Sequence, residues 1–206
     1  MPSKLLRSVQ GSIQGNNVET AIFFTHVRSK LGPLKQAQVE GFNFLLAAIE
    51  GSPLAFASYE LATTWHETKA TMQPVREAYW LPESWRQRNL RYYPWYGRGY
   101  VQLTWERNYA LADAKCAAAG LCQPGELLAA PDKVMEPAIA AYILRIGMEE
   151  GWFTGVKLST FLPKNGVATR AQYMNARTII NGTDKADLIE DYAQIFEKAF
   201  RLAGWR

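Results

Sequence analysis

Apolar residues recur every three or four positions on both sides of Gly51. This spacing is typical of amphipathic helices, and the glycine is a common helix end. Ser52 can cap the second helix, and Pro53 suits its first turn. The apolar stripes are Val39, Phe42, Leu45, Leu46 and Ile49 in the first helix, and Leu54, Ala57, Leu61, Ala62 and Trp65 in the second. The sequence therefore predicts two consecutive helices that bury one face each.

Polar residues fall on another face of the second predicted helix. Glu60, Thr64 and Glu67 follow one another at spacings of four and three residues. Residues at that spacing lie on the same side of an α-helix. We therefore expect these three side chains to share a polar face.

Two further helices are predicted in the second half of the chain. Pro137 opens one that runs to Gly151, and Asp184 can cap another that runs to Gly204. No convincing run of strands and no internal repeat appears. The fold class is mostly α, with a cleft between helical lobes.

Residues 71–105 interrupt the helical pattern with three prolines and the glycines at positions 97 and 99. Irregular segments of this length tend to be functional, so we expect this one to form a wall of the cleft. Residues 1–19 have weak periodicity and are predicted to be an N-terminal extension. Residues 20–206 then form a single domain, of a size that can bury most of its apolar surface.

The net charge of +4 comes from positive residues spread through the chain. A nucleic-acid-binding protein would concentrate them, and the nearest cluster, residues 86–91, is interpreted as a solvated loop. The mild positive charge suits an anionic polymer. The longest apolar stretches, such as residues 44–49 and 138–143, are too short to span a bilayer, so no stable membrane insertion is expected.

Histidine and cysteine are too few for an evident metal centre. His66 precedes a glutamate as in zinc proteases, but Ala70 occupies the position of the second ligand, and His26 is the other histidine of the chain. Cys116 and Cys122 could close a small loop, although reduced thiols are the expectation. We predict no metal and no cofactor.

Glycoside hydrolysis requires a protonated carboxyl group and commonly a second carboxylate, and Glu67 and Glu77 are the candidates. On an unbroken helix ten residues would separate them by about 15 Å, too far for a shared bond. Pro74 is predicted to end the helix near residues 71–73. The chain can then fold back and bring Glu77 across a gap that is wide enough for substrate and water.

Four short sequence words follow one another along the chain. They are Trp65-His66-Glu67-Thr68, the segment from Arg91 to Thr104 that includes Gly97-Arg98-Gly99, Asn108-Tyr109, and Ile179-Ile180-Asn181-Gly182. In this order they resemble glycoside hydrolase family 19, which contains class I chitinases and phage endolysins. The short spacing between the two glutamates and the absence of the plant insertions are similar to the endolysin branch. The resemblance covers the chain from about Leu54 onward.

The resemblance implies a role for each matching position. Glu67 would be the general acid and Glu77 the paired carboxylate, which we expect beside Arg76 and near Arg98. Thr104 stands where plant chitinases have serine and would hold the attacking water. The candidate substrate contacts are His66, Tyr96, Arg98, Gln102, Asn108 and Asn181. His66 could instead pack or orient, and Arg98 could pair with a catalytic carboxylate or form a structural salt bridge.

The resemblance implies a lysozyme-like, two-lobed helical domain with a central cleft. The expected enzyme is an endolysin that cleaves β-1,4 linkages of bacterial peptidoglycan by an inverting mechanism. A chitinase and a wall-degrading module of a virion or secretion machine are the alternatives. We expect a monomer that is made in the cytoplasm without a signal peptide. It would act at the cell wall in the periplasm after release that depends on a holin.

Overall fold

The computed structural model describes residues 19–205, so most of the predicted N-terminal extension lies outside the described residues. Within that range α-helices predominate, which confirms the mostly α fold class. The helices are α1 (Thr20–Leu31), α2 (Gln36–Ala48), α3 (Leu54–Glu67), α4 (Glu83–Asn89), α5 (Glu106–Ala118), α6 (Glu126–Ala129), α7 (Pro137–Glu150), α8 (Leu158–Phe161), α9 (Arg170–Ala176) and α10 (Ala186–Leu202). Short 3₁₀ helices span Pro131–Met135 and Arg177–Ile179.

Helix α3 lies at the centre of the fold. Every residue from 55 to 65 is buried, and α10 packs along the helix. The prediction that Glu60, Thr64 and Glu67 share a polar face is therefore wrong, because Glu60 and Thr64 are fully buried. Only the last part of the stripe, at Glu67, reaches a cavity. A helix that is surrounded by other elements has no side left for solvent.

The ends of α3 differ from the prediction. The N-cap is Pro53, not Ser52, and no side chain caps this end of the helix. The helix ends at Glu67 and not near residues 71–73, because Lys69, Ala70 and Met72 adopt left-handed backbone conformations. Such residues cannot continue a right-handed helix, so the helix has already ended several residues before Pro74.

The two late helices are present where helices were predicted. Pro137 occupies the first turn of α7, and the left-handed Gly151 follows its last residue, as predicted. Helix α10 begins at Ala186 after the left-handed Lys185, so Asp184 is not its N-cap.

Helix contacts divide the described residues into two lobes. Helices α1, α3, α9 and α10 pack together as the first lobe. Helices α5, α6 and α7, the 3₁₀ helix Pro131–Met135 and a two-stranded sheet form the second. Contacts of α7 with α2 and α8 join them, and one buried hydrophobic cluster runs through both.

The irregular segment 71–105 belongs to the second lobe. It contains strands β1 (Val75–Arg76) and β2 (Arg98–Gly99), which pair antiparallel with Val75 opposite Gly99. It also contains α4, so residues 86–89 are helical and not a loop as interpreted, while residues 87–89 and 91 are exposed as expected. Arg86 is buried, and its guanidinium donates to the carbonyl oxygens of Glu77, Ala78 and Leu81.

Cys116 and Cys122 are free thiols, in agreement with the expectation of reduced cysteines. Burial raises the pKa of the Cys116 thiol to about 12, so it stays protonated at neutral pH. Within residues 19–205, none of the helices combines the length and the apolar character that crossing a bilayer requires.

Candidate active site

A cavity of about 460 Å³ lies between the two lobes. This volume is within the range of small-molecule and saccharide sites. Its lining consists of Glu67, Glu77, Tyr92, Val101, Gln102, Leu103, Thr104, Trp105, Arg107, Asn108, Phe153, Ile180 and Asn181. Six of the nine predicted site residues therefore meet in one place. His66, Tyr96 and Arg98 are not among the lining residues.

Glu67 is the last residue of α3, and its side chain is 16% exposed. The Arg177 guanidinium donates from Nη1 to Oε1 of Glu67 at 2.8 Å. The Nε of Arg177 donates to the carbonyl oxygen of Asp184, which fixes the orientation of the guanidinium. A charge-assisted hydrogen bond to a buried arginine therefore holds one oxygen of the carboxylate.

Glu77 follows β1 on the other lobe, and two donors hold its carboxylate. The Tyr92 hydroxyl donates to Oε1 at 2.7 Å, and the Gly97 amide donates to Oε2 at 3.0 Å. Burial, together with the hydrogen bond to Glu77, raises the pKa of Tyr92 to about 12, so the phenol remains a donor. The two bonds together fix the orientation of the carboxylate.

Neither Arg76 nor Arg98 pairs with the Glu77 carboxylate, contrary to the expectation from the sequence. Arg76 and Arg98 both pair with Asp132, each at 2.8 Å. The hydrogen bonds from Arg76 and then Arg98 hold the pKa of Asp132 below its usual value.

Gln102 both lines the cavity and links the strands beneath it. Its Nε2 donates to the carbonyl oxygen of Val75 at 3.0 Å. A Cβ at position 97 would lie 2.7 Å from Oε1 of Gln102, so only glycine leaves room for the amide. Gly97, directly before β2, therefore lies against Gln102 and also donates its amide to the Glu77 carboxylate.

Thr104 and Asn108 lie side by side on the same wall as Gln102. The Thr104 hydroxyl donates to the carbonyl oxygen of Gln102 at 2.8 Å, and Asn108 Nδ2 donates to the backbone oxygen of Thr104 at 2.8 Å. Because the hydroxyl proton of Thr104 is already committed, its oxygen can only accept a hydrogen bond from water.

Asn181 reaches the cavity from the first lobe, close to Glu67. Its backbone amide donates to the carbonyl oxygen of Arg177, and its Oδ1 accepts from the Gly182 amide at 2.9 Å. The turn that carries Asn181 therefore also carries the arginine that binds Glu67. The Arg177–Glu67 contact therefore places Asn181 of the last matched segment near Glu67 of the first.

Tyr96 and Arg98 lie behind the cavity wall, each at most 4% exposed. The Arg98 guanidinium stacks 3.5 Å above the Tyr96 ring and donates to the carbonyl oxygen of Pro94. Of the two alternatives for Arg98, the structure shows the ion pair with Asp132. Both residues support the loop that carries Gly97 and do not reach the cavity.

His66 is half-buried and lies beside the Glu67–Arg177 pair. Burial lowers the pKa of the imidazole, so the ring is neutral at pH 7. Since it is not part of the lining, the packing or orienting alternative fits its position better than a substrate contact.

Sequence reasoning missed several residues of the site, above all Arg177. Arg177 precedes Asn181 by four positions, but its partner Glu67 is 110 residues away, so no local pattern marks it. Tyr92 was part of a matched word without an assigned role. Trp105, Arg107 and Phe153 also line the cavity. Over residues 19–205, no three side chains of the metal-binding types converge.

The described fold is similar to two solved chitinase structures. Chitinase C from Streptomyces griseus HUT6037 superposes with a TM-score of 0.55 and 21% identity, over 95% of this chain and 79% of that chain. A glutamate-to-glutamine mutant of chitinase C gives 0.52 and 22%, over 95% and 97%. At this identity the likeness shows a shared fold. No family model matches the sequence, and neither does any curated protein.

Proposed function

We propose that this chain is a glycoside hydrolase of the family 19 type, from the endolysin branch, which cleaves β-1,4 linkages in the glycan strands of bacterial peptidoglycan. The observation that carries the proposal is that Glu67 and Glu77 line one cavity from different lobes. Two carboxyl groups on either side of a sugar-sized space are what glycosidic hydrolysis requires. The fold shared with chitinase C adds support.

In the proposed mechanism Glu67 donates its proton to the leaving glycosidic oxygen as the bond to the anomeric carbon breaks. Arg177 occupies Oε1 of Glu67, so the transferred proton belongs on Oε2. Glu77 removes a proton from a water molecule, whose oxygen bonds to the anomeric carbon from the opposite face. The product is a hemiacetal with inverted configuration.

The donors around Glu77 suit a general base. Tyr92 and the Gly97 amide fix the orientation of the carboxylate, and both donors are uncharged. Thr104 can accept a hydrogen bond from the same water, and Gln102, Asn108 and Asn181 offer amide groups to the sugar hydroxyl and acetamido substituents. We propose that a monomer is the active unit.

Chitin hydrolysis is the second candidate, favoured by the fold shared with chitinase C. The same acid, base and amide side chains would serve a polymer of N-acetylglucosamine. Which of the two polymers the enzyme prefers depends on the residues around the cavity. The net charge of +4 favours the anionic bacterial cell wall over neutral chitin.

The test is digestion of purified peptidoglycan and of chitooligosaccharides by the wild type and by Glu67→Gln. Mass spectrometry of the soluble fragments identifies the polymer and the bond that is cleaved. We expect peptidoglycan fragments with new reducing ends and their loss in Glu67→Gln. Release of chitooligosaccharides from chitin with peptidoglycan left intact would establish the chitinase instead.

The stereochemistry of the same reaction tests the mechanism. NMR immediately after mixing with a β-linked oligosaccharide should show the α-anomer before mutarotation. A β-anomer as the first product would require a double displacement or a substrate-assisted route.

A further inference from the structure

Arg107 lies where the central cavity opens into a neighbouring groove. It lines the central cavity together with Trp105 and Asn108, and it also lines the groove. That groove continues the cavity along the second lobe, past Arg107, Asn108, Leu111, Lys115, Glu150, Gly151, Trp152, Phe153, Thr154 and Gly155. A polymer that extends beyond the cavity in this direction passes Arg107.

The guanidinium of Arg107 is the one positive charge among the residues that line the central cavity. Its side chain is exposed, and no carboxylate in the part of the chain that the structure describes forms an ion pair with it. By contrast, Arg177 is paired with Glu67, and Lys115 in the groove is paired with Glu150 at 2.6 Å. A negatively charged substituent of the substrate would therefore find Arg107 available.

The surroundings of Arg107 also suit a saccharide. Trp105 beside it is 42% exposed. Its ring packs against Tyr92 and has the Arg91 guanidinium 5.3 Å from its centre, and the part of the ring that these leave open offers an apolar surface to a sugar. Asn108 is fixed by its bond to Thr104. A planar guanidinium next to an aromatic face can bind a carboxylate through two parallel hydrogen bonds while the ring packs against the sugar.

We propose that Arg107 is a specificity-determining residue that binds a carboxylate carried by the glycan. This inference rests on the proposed function and deepens it, because chitin carries no carboxylate whereas peptidoglycan does. Two sources share this chemistry, namely the lactyl ether of muramic acid and the peptide stem. Arg107 raises the rate for the acidic glycan relative to an otherwise equal neutral one.

The experiment measures kcat/KM for matched pairs of soluble glycan strands. One pair consists of strands freed of their stems by an amidase, with the lactyl carboxylates either free or amidated with methylamine. The other pair retains its stems, with amines acetylated and the carboxylates either free or amidated. The selectivity is the ratio of the rate constants for the free and the amidated member of a pair.

We expect the wild type to prefer the free carboxylate, and Arg107→Gln to reduce that selectivity about tenfold, as expected for one charge-assisted hydrogen bond. Arg107→Lys should retain part of it. Arg88→Gln is the matched control, because it removes the same charge from an exposed arginine of α4 that does not line the cavity. Its selectivity should equal that of the wild type.

The results separate this inference from the proposed function. A preference confined to the strands without stems identifies the lactyl carboxylate, and one confined to the strands with stems identifies the peptide. If the wild type cleaves both members of each pair equally, or if Arg88→Gln changes the selectivity as much as Arg107→Gln, the role of Arg107 is overturned while the hydrolase remains. If the wild type cleaves no glycan, the proposed function itself fails.

Discussion

Arg177 Nη1 lies 2.8 Å from Oε1 of Glu67, and the arginine is only 3% exposed. The pair joins the end of the central helix α3 to the 3₁₀ helix that precedes Asn181. A buried guanidinium so close to the proposed general acid fixes the orientation of its carboxyl group.

Replacing Arg177 with glutamine should lower kcat by about tenfold or more, because a charge-assisted hydrogen bond to the proposed acid is lost. Arg177→Lys keeps the charge without the two-pronged geometry and should recover part of the rate. The check is kcat and KM on soluble glycan strands together with the melting temperature. A variant that loses stability but retains kcat would show that the arginine serves the fold alone.

The second prediction concerns the proposed base. Glu77→Gln should lower kcat at least about a hundredfold, since general base catalysis typically contributes that much. Tyr92→Phe removes one of the two donors to Glu77 and should cost about tenfold. These rates are measured on the same glycan strands, with circular dichroism to verify folding.

Glu83→Gln provides the control for Glu77. The Glu83 carboxylate accepts from Arg86 and Tyr96 and does not line the cavity. Its replacement should therefore affect kcat far less than that of Glu77. If Glu83 proves indispensable while Glu77→Gln stays active, the assignment of the second carboxylate is wrong.

Helix positions were the most predictable part of this fold, because apolar spacing and glycine or proline ends are local signals. The start of α7 at Pro137 and the buried stripe of α3 follow from them directly. The burial of Glu60 did not follow, because it depends on α10 and other elements that surround α3. A single helix cannot reveal how many of its sides are covered.

In the candidate site, too, local features were predictable and long-range contacts were not. The matched words contain five of the six predicted residues that line the cavity, and Glu77, between the first two words, is the sixth. The partners of charged residues were not predictable. Arg98 could be assigned to Glu77 or to a structural pair from the sequence, and only the position of Asp132, 34 residues away, decides.

The third prediction concerns the turn between the two carboxylates. The Thr68 hydroxyl donates to the carbonyl oxygen of Thr64 at 2.7 Å and accepts from the Met72 amide at 3.2 Å. Thr68→Val keeps the shape but leaves that amide without its partner inside the protein. We expect a loss of about 1–3 kcal/mol in the free energy of unfolding, and a lower kcat because the turn leads to Glu77.

Thr68→Ser retains the hydroxyl and serves as the control. It should keep most of the stability and activity, apart from the loss of one buried methyl group. Urea denaturation and the rates on glycan strands give both quantities. Equal behaviour of the serine and valine variants would show that the hydroxyl does not hold the turn.

The last prediction concerns Glu60, whose carboxyl group lies in the middle of α3 with no exposed surface and no hydrogen-bond partner among the described residues. Burial raises the pKa of Glu60 to about 8, against a smaller opposing effect of Arg145. The folded protein therefore keeps this proton between about pH 4.5 and 8, where the unfolded chain releases it. Because the unfolded state binds fewer protons in this window, the free energy of unfolding contributed by Glu60 falls as the pH rises.

Glu60→Met replaces the carboxyl group with an apolar side chain of similar length and should remove that pH dependence. Each unit of raised pKa corresponds to about 1.4 kcal/mol, so the variant should gain on the order of a few kcal/mol relative to the wild type between pH 5 and pH 8. Urea denaturation of both proteins at several pH values measures the difference. Subtracting the two curves cancels other titrating groups, such as His66, whose lowered pKa destabilises the fold in acid. Parallel curves would mean that Glu60 releases its proton in the folded protein as readily as in the unfolded chain, so that α3 accommodates a charge in its centre.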